Sequence, residues 1–145
     1  MKLTIELVPQ TAWYSNVRSN VTKAEWDVLR KACYKAAGYK CEVCSGKGPK
    51  HPVECHEIWD YNDETCDQTL KGLVALCPNC HKCKHVGYAR ISGNYDMALA
   101  HLAKVNEITS EEAEKYVDES FVLWEQRSQK EWKLDITILE NKENE

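Results

Sequence analysis

The sequence predicts a small α+β domain, and three observations predict it. Two Cys-x-x-Cys pairs, Cys41–Cys44 and Cys77–Cys80, stand 32 residues apart. Alternating apolar runs lie between the pairs and near both ends of the chain, in the period-two pattern of half-buried strands. Two Thr-x-x-Glu capping boxes, Thr22–Glu25 and Thr109–Glu112, open segments with apolar residues at helical spacing. At 145 residues, 43% of them apolar, the chain 1–145 reads as one domain with its own core.

Lys2–Val8 alternates Leu3, Ile5 and Leu7 and reads as a strand. The box at Thr22 starts a helix whose stripe of Trp26, Leu29, Cys33 and Ala36 runs to a stop at Gly38, with Cys33 as a small buried hydrophobe. Together these form an N-terminal strand-helix segment, 1–37. The central unit, 38–90, reads knuckle, strand, turn, strand, knuckle, helix. Pro52–Trp59 is its first strand, Asp60–Glu64 a polar hairpin, and Leu70–Leu76 an apolar strand feeding Cys77. The C-terminal extension, 91–145, begins with Ser92-Gly-Asn94 as turn and N-cap of a short helix from Met97 to Val105. A second helix runs from the box at Thr109 to Arg127-Ser128, followed by a strand at Leu134–Leu139 and a polar tail, Glu140–Glu145, expected to fray. The two terminal strands lack local partners. They pair with each other or join one small sheet, or else form two separate edges.

Four thiolates in two tight turns are the ligand set of a closed tetrahedral Zn²⁺ site, and Cys41, Cys44, Cys77 and Cys80 are its expected ligands. Eight cysteines would also suit a disulfide framework in a secreted protein. The first residues lack the basic-then-apolar pattern of a signal peptide, so a reducing, cytoplasmic setting is expected. No run approaches a membrane span. The net charge is −4, which argues against a protein that coats nucleic acid by bulk charge. The charge is skewed: residues 1–106 carry 14 Lys/Arg against 11 Asp/Glu, and residues 107–145 carry 5 against 12. Between Cys77 and Arg90 there are Lys82, Lys84 and Arg90 and no acid, a local basic surface within an acidic chain.

The second knuckle runs straight into His81 and His85, at i and i+4 on one face of a helix. His56 and Glu57 lie in the strand of the enclosed loop. If the clasp pins the strands to the helix, these four residues converge on a second metal site. Cys83 is a rival ligand for either site, while Cys55 and Cys66 read as buried or loop thiols. His51 reads as an exposed loop histidine and His101 as a core or surface one. The five tryptophans serve the core, with Trp59 placed best for stacking on a base.

Cys41/Cys44, His56-Glu57 and Gly72-Leu-Val-Ala-Leu-Cys-Pro-Asn-Cys-His81 resemble the zinc-containing branch of the HNH endonucleases, over roughly residues 38–90. The whole chain is also similar to uncharacterised small HNH-like proteins of bacteria and phage. The resemblance implies a zinc-pinned ββα-metal unit, flanked by the N-terminal strand-helix and the C-terminal helical extension. It further implies a divalent metal that binds the scissile phosphate, a strand residue that activates water, and nucleic acid, chiefly DNA, as substrate. His81 becomes a metal ligand and His85 a second one. Aligned on Ile58, His56 is a ligand and Glu57 the general base; aligned on the histidine, His56 is the base and Cys55 replaces the ligand. The family's asparagine position holds Gly72, with Asn79 as a substitute from within the knuckle. The second ion is Mg²⁺, Mn²⁺, Ni²⁺ or Zn²⁺, and three imidazoles suit a transition metal better than Mg²⁺. Lys82, Lys84 and Arg90 are the expected phosphate contacts.

Two functions of different class follow. The first is a metal-dependent nuclease hydrolysing phosphodiester bonds, with weak sequence preference of its own and a protein partner at the acidic C-terminal region as one route to specificity. The second is a catalytically lapsed fold of the same type, acting as a zinc-stabilised binding or inhibitory module for protein or nucleic acid. A second bound metal separates them.

Overall fold

The computed structural model describes the backbone of residues 1–143 and the side chains of residues 1–140. Its architecture is α+β, with a small three-stranded sheet surrounded by helices. A 3-10 turn at Gln10–Ala12 and a short helix α1 (Val17–Asn20) precede α2 (Lys23–Ala36). Then come β1 (Glu54–Asn62) and β2 (Asp67–Leu76), four helices α3 (Pro78–Lys84), α4 (Val86–Ile91), α5 (Tyr95–Asn106) and α6 (Ser110–Arg127), β3 (Lys133–Asp135) and α7 (Thr137–Glu143). No helix among the described residues is long and apolar enough to cross a membrane.

Local chemistry accounts for most boundaries. Both capping boxes form: Thr22 and Thr109 accept from the backbone N–H of Glu25 and Glu112, whose carboxylates reach back to the cap N–H groups. α2 stops where Gly38 takes φ +64°, a conformation costly for any residue with a Cβ. β1 and β2 pair antiparallel from Glu54↔Leu76 to Asn62↔Asp67, with a bulge at Lys71 of β2, between the pairs Ile58↔Gly72 and Trp59↔Leu70. The tip closes because Asn62 Oδ1 accepts from the N–H groups of Glu64 and Thr65, and Asn62 O accepts from Cys66 N.

The larger core cluster joins the open end of the hairpin to α3–α6 through Val53, Leu76, Val86, Leu102 and Val117, with Leu3 sealed among them. A smaller cluster, Val17, Leu70 and Leu139, packs Trp26, Leu29 and Trp59 between the sheet and α1, α2 and α7. Trp59 is thus partly absorbed by the core.

Three expected elements differ. Residues 2–8 form no strand. Their alternation is real, since Leu3, Ile5 and Leu7 all pack on the core, but the partners are helices. Asn106 takes both the N–H and the C=O of Leu3, Tyr116 Oη accepts from Ile5 N, and Lys84 O accepts from Glu6 N. With the backbone satisfied by side chains and a helix end, no ladder is needed. At the other end only Lys133–Asp135 forms a strand, parallel to Asp67–Thr69 of β2. Asp135 then caps α7 by accepting from Thr137 N, so Ile136 and Leu139 meet the small cluster at helical spacing. The C-terminal strand therefore joins the sheet and the N-terminal one does not. Of the expected frayed tail, residues 140–143 continue α7, and 144–145 lie outside the described residues. Finally, α3 ends at Lys84, so His85 is its C-cap residue, and α4 is a separate turn of helix.

Candidate metal centres

The first knuckle folds back on itself: Cys41 N donates to Gly46 O and Ser45 N to Cys41 O. The N–H groups of Cys44 and Gly46 point at the sulfurs of Cys41 and Cys44, at 3.5 and 3.4 Å. In the second, Cys77 caps α3, its Sγ accepting from Cys80 N at 3.4 Å, and Pro78 occupies the first helical turn, where no N–H is needed. Gly48 lets the knuckles close, because a Cβ there would stand 2.7–2.8 Å from the Pro78 ring.

The four sulfurs lie within 4.8 Å of one another, and Cys44 Sγ is 3.6 Å from Cys77 Sγ. A tetrahedron with bonds of about 2.3 Å has sulfur–sulfur edges of roughly 3.8 Å, so the cluster can hold a structural metal such as zinc. The acidities agree. A hydrogen bond from Cys80 draws the Cys41 thiol down to about 4, and the same contact, with burial, pushes Cys80 up. One anion is thus held at the expense of its neighbour, a conflict that a divalent cation removes by stabilising all four thiolates.

His101, read from sequence as a core or surface residue, lies against this cluster. Its Nε2 is 3.1 Å from Cys80 Sγ and donates to it once the sulfur is a thiolate. Only the docking of α5 on α3 makes this contact, so no short motif announces it. Cys83 is no ligand: it is buried and donates to Ala98 O at 3.2 Å. Cys55 turns toward Cys33 of α2, and Cys66 sits in the hairpin turn with φ +62°.

The second cluster is His56, His81 and His85, with one donor nitrogen from each lying within 4.8 Å of the others. Ring centroids are 5.0–5.3 Å apart and the rings meet edge to face. His56 is 4% exposed. Burial, and then the neighbouring histidines, hold His85 down at about 3, and burial lowers His81 as well. The neutral imidazole, with a free nitrogen lone pair, is therefore the resting form of both at neutral pH.

Two carboxylates set the tautomers. Glu54 Oε1 lies 3.0 Å from His81 Nδ1, and Glu6 Oε1 lies 3.3 Å from His56 Nε2. Protons on those nitrogens leave the lone pairs on His81 Nε2 and His56 Nδ1. Burial pushes the Glu6 carboxyl up, but hydrogen bonds from His56 and Lys84 outweigh it and hold it at about 2. Neither acid was singled out in the sequence. Glu54 was within reach of inspection, since it stands two residues before His56 and so on the same strand face. Glu6 was not, because its segment reads as a strand with no partner.

Glu57 lies elsewhere. Strand alternation turns it to the face opposite His56, and its Oε1 accepts from Val17 N at 2.8 Å. Burial raises its pKa. Of the two alignments, the three-histidine ligand set of the first comes together, and neither Glu57 nor Cys55 joins it. Lys84 is a correction as well: its ammonium is buried and bonded to Glu6 and Thr4, so it is not on offer to a phosphate. Arg90 remains part-exposed, its guanidinium 4.4 Å from the centre of the Phe121 ring and 4.9 Å from that of Tyr95. Lys82 is half-buried on α3.

The histidines stand where two clefts meet. A cleft of mixed character, of about 780 Å³, has Arg18, Lys23, Arg30, His51, Glu54 and His81 among its lining beside Trp26 and Tyr34. A larger, mainly apolar groove of about 1090 Å³ has His56, His81 and His85 in its wall. Comparison with models of known families, with curated proteins and with solved structures returns no match.

Proposed function

We propose that the chain is a metal-dependent nuclease of the HNH type, hydrolysing phosphodiester bonds in nucleic acid at the histidine cluster. The observation that carries this reading is the meeting of His56, His81 and His85, drawn from a strand and a helix end, at the junction of two open clefts. Three imidazoles fit Zn²⁺, Mn²⁺ or Ni²⁺ better than Mg²⁺ and leave coordination positions open. When bound there, such a cation supplies the acidity of its own water and positive charge for a phosphate in transition.

The protein's share is positional. His56, His81 and His85 hold the ion, and Glu6 and Glu54 keep the protons on His56 Nε2 and His81 Nδ1, so that the other nitrogen of each ring carries the lone pair a cation needs. Arg18, at the edge of both clefts, meets the incoming phosphate in place of Lys84. With the acidity supplied in this way, Glu57 is not required as the base. The competing reading, a lapsed fold that only binds, gains from one observation: no carboxylate of the expected strand pair stands beside the histidines.

Elemental analysis beside a plasmid-nicking assay with Mg²⁺, Mn²⁺, Ni²⁺ and Zn²⁺ decides between them. Nicking that disappears in His81→Ala, with structural zinc retained, is the expected outcome. One zinc per chain and no nicking with any metal would move the assignment to the binding module.

A further inference from the structure

The apolar groove is larger than the histidine cluster alone requires, and its composition is unusual for an acidic protein's surface. Ten large hydrophobic residues are exposed among the described side chains, and five of them, Trp13, Tyr14, Tyr88, Ile91 and Leu123, line this one groove. Tyr14 is 85% exposed and Trp13 58%, more than packing against the fold explains. Three guanidiniums, from Arg18, Arg90 and Arg127, also line it. Its two carboxylates, Glu6 and Glu57, are engaged by Lys84 and His56 and by Val17 N, so neither confronts an incoming anion alone.

We propose that this groove binds single-stranded nucleic acid, with unpaired bases stacked on Trp13, Tyr14 and Tyr88 and the backbone passing Arg18 toward the histidines. The inference rests on the nuclease reading and names its substrate class. Exposed aromatic faces beside arginines are the means by which proteins hold single strands without reading sequence. They offer nothing to a duplex, whose bases are already stacked. Duplex binding draws instead on neutralising many phosphates, and a chain of net charge −4 is poorly equipped for that. Stacking is insensitive to net charge, so an acidic protein can still bind unpaired bases. The groove is also continuous with the reacting centre, because His56, His81 and His85 form part of its wall.

The test uses the full chain with one equivalent of zinc, enough for the cysteine cluster alone, and no further divalent metal, so that binding is read without cleavage. Fluorescence anisotropy compares a labelled oligothymidylate with a labelled duplex of the same length. The single strand is expected to bind at least about tenfold more tightly, and Trp13→Ala and Tyr88→Ala each to weaken it by roughly tenfold with unchanged circular dichroism. Equal affinity for the duplex, unchanged affinity in both folded variants, or no binding of either probe (the result for a groove that serves a protein partner) overturns the proposal. The two readings fail separately. Tight single-strand binding without cleavage of the bound oligonucleotide by any metal keeps the groove and rejects the nuclease, whereas cleavage or nicking without single-strand preference keeps the nuclease and rejects the groove.

Discussion

At the scale of the residue, the side chains beside the ligands decide what the two clusters can hold. Glu54 and Glu6 fix which nitrogen of His81 and His56 carries the proton, and outer partners of this kind commonly govern metal affinity by 10–100-fold. Glu54→Gln and Glu6→Gln are therefore expected to lower the affinity of the histidine cluster for Mn²⁺ or Zn²⁺ within about that range, leaving the structural zinc in place. Calorimetric titration of the zinc-loaded chain reads this directly, and unaltered affinity in both variants would remove the orienting role. His101→Ala is expected to speed release of zinc from the clasp to a chromogenic chelator, because Cys80 loses the donor that stabilises its charge. Release at the unmodified rate would mean that the contact is only packing.

At the scale of the element, the clasp joins α3 to the first knuckle, and binding free energy at such a site is also folding free energy. Cys77→Ser removes a ligand and one of the sulfurs that receive backbone N–H groups, so loss of cooperative thermal unfolding is expected. A variant as stable as the parent would refute a structural metal. The hairpin tip depends on a weaker tie, Asp63 to Arg127 at 3.1 Å. That bond holds the Asp63 carboxyl below its ordinary 3.8. Its contribution is present above that value and is lost as pH falls through the lower folded one. The pair is exposed, so the loss is under about 1 kcal/mol, and Asp63→Asn should erase the corresponding slope in a denaturation series below pH 4.

The same scale explains what the sequence could disclose. Elements whose signals are local were legible: both capping boxes, both knuckles, the hairpin and the approach of His56 to the α3 histidines. The segment at 2–8 was misread because alternation reports burial on one face and does not say whether the neighbour is a strand or a helix. Residues 134–139 carry the same ambiguity, resolved by Asp135, which caps a helix within the alternating run. At the two clusters the cysteines and histidines were visible and their partners were not, since Glu6 and His101 arrive from segments 50 and 21 residues away.

At the scale of the whole molecule, the first ten residues act as a strap across the helical side. Asn106 holds Leu3 at both backbone atoms, Trp124 Nε1 donates to Val8 O, and Ser128 Oγ accepts from Gln10 N. Asn106→Ala leaves two partly buried backbone groups without partners. A cost of about 1–3 kcal/mol is expected, together with faster amide exchange at Leu3 and Glu6. Native exchange rates at those two amides would show that the strap is held by its apolar side chains alone.

The strap also sets an order of events during synthesis. Glu6 leaves the ribosome well before the groups that fasten its neighbours, Asn106, Tyr116, Trp124 and Ser128, which emerge a hundred or more residues after it. The four cysteines, the three histidines and Lys84, which holds Glu6 at both its N–H and its carboxylate, are complete by residue 85, so both clusters can assemble before the rest of the strap has anything to fasten to. The strap is therefore the last part of the fold to be fastened, and a chain stalled before α6 carries both clusters while Ile5, Val8 and Gln10 still lack the partners that hold them.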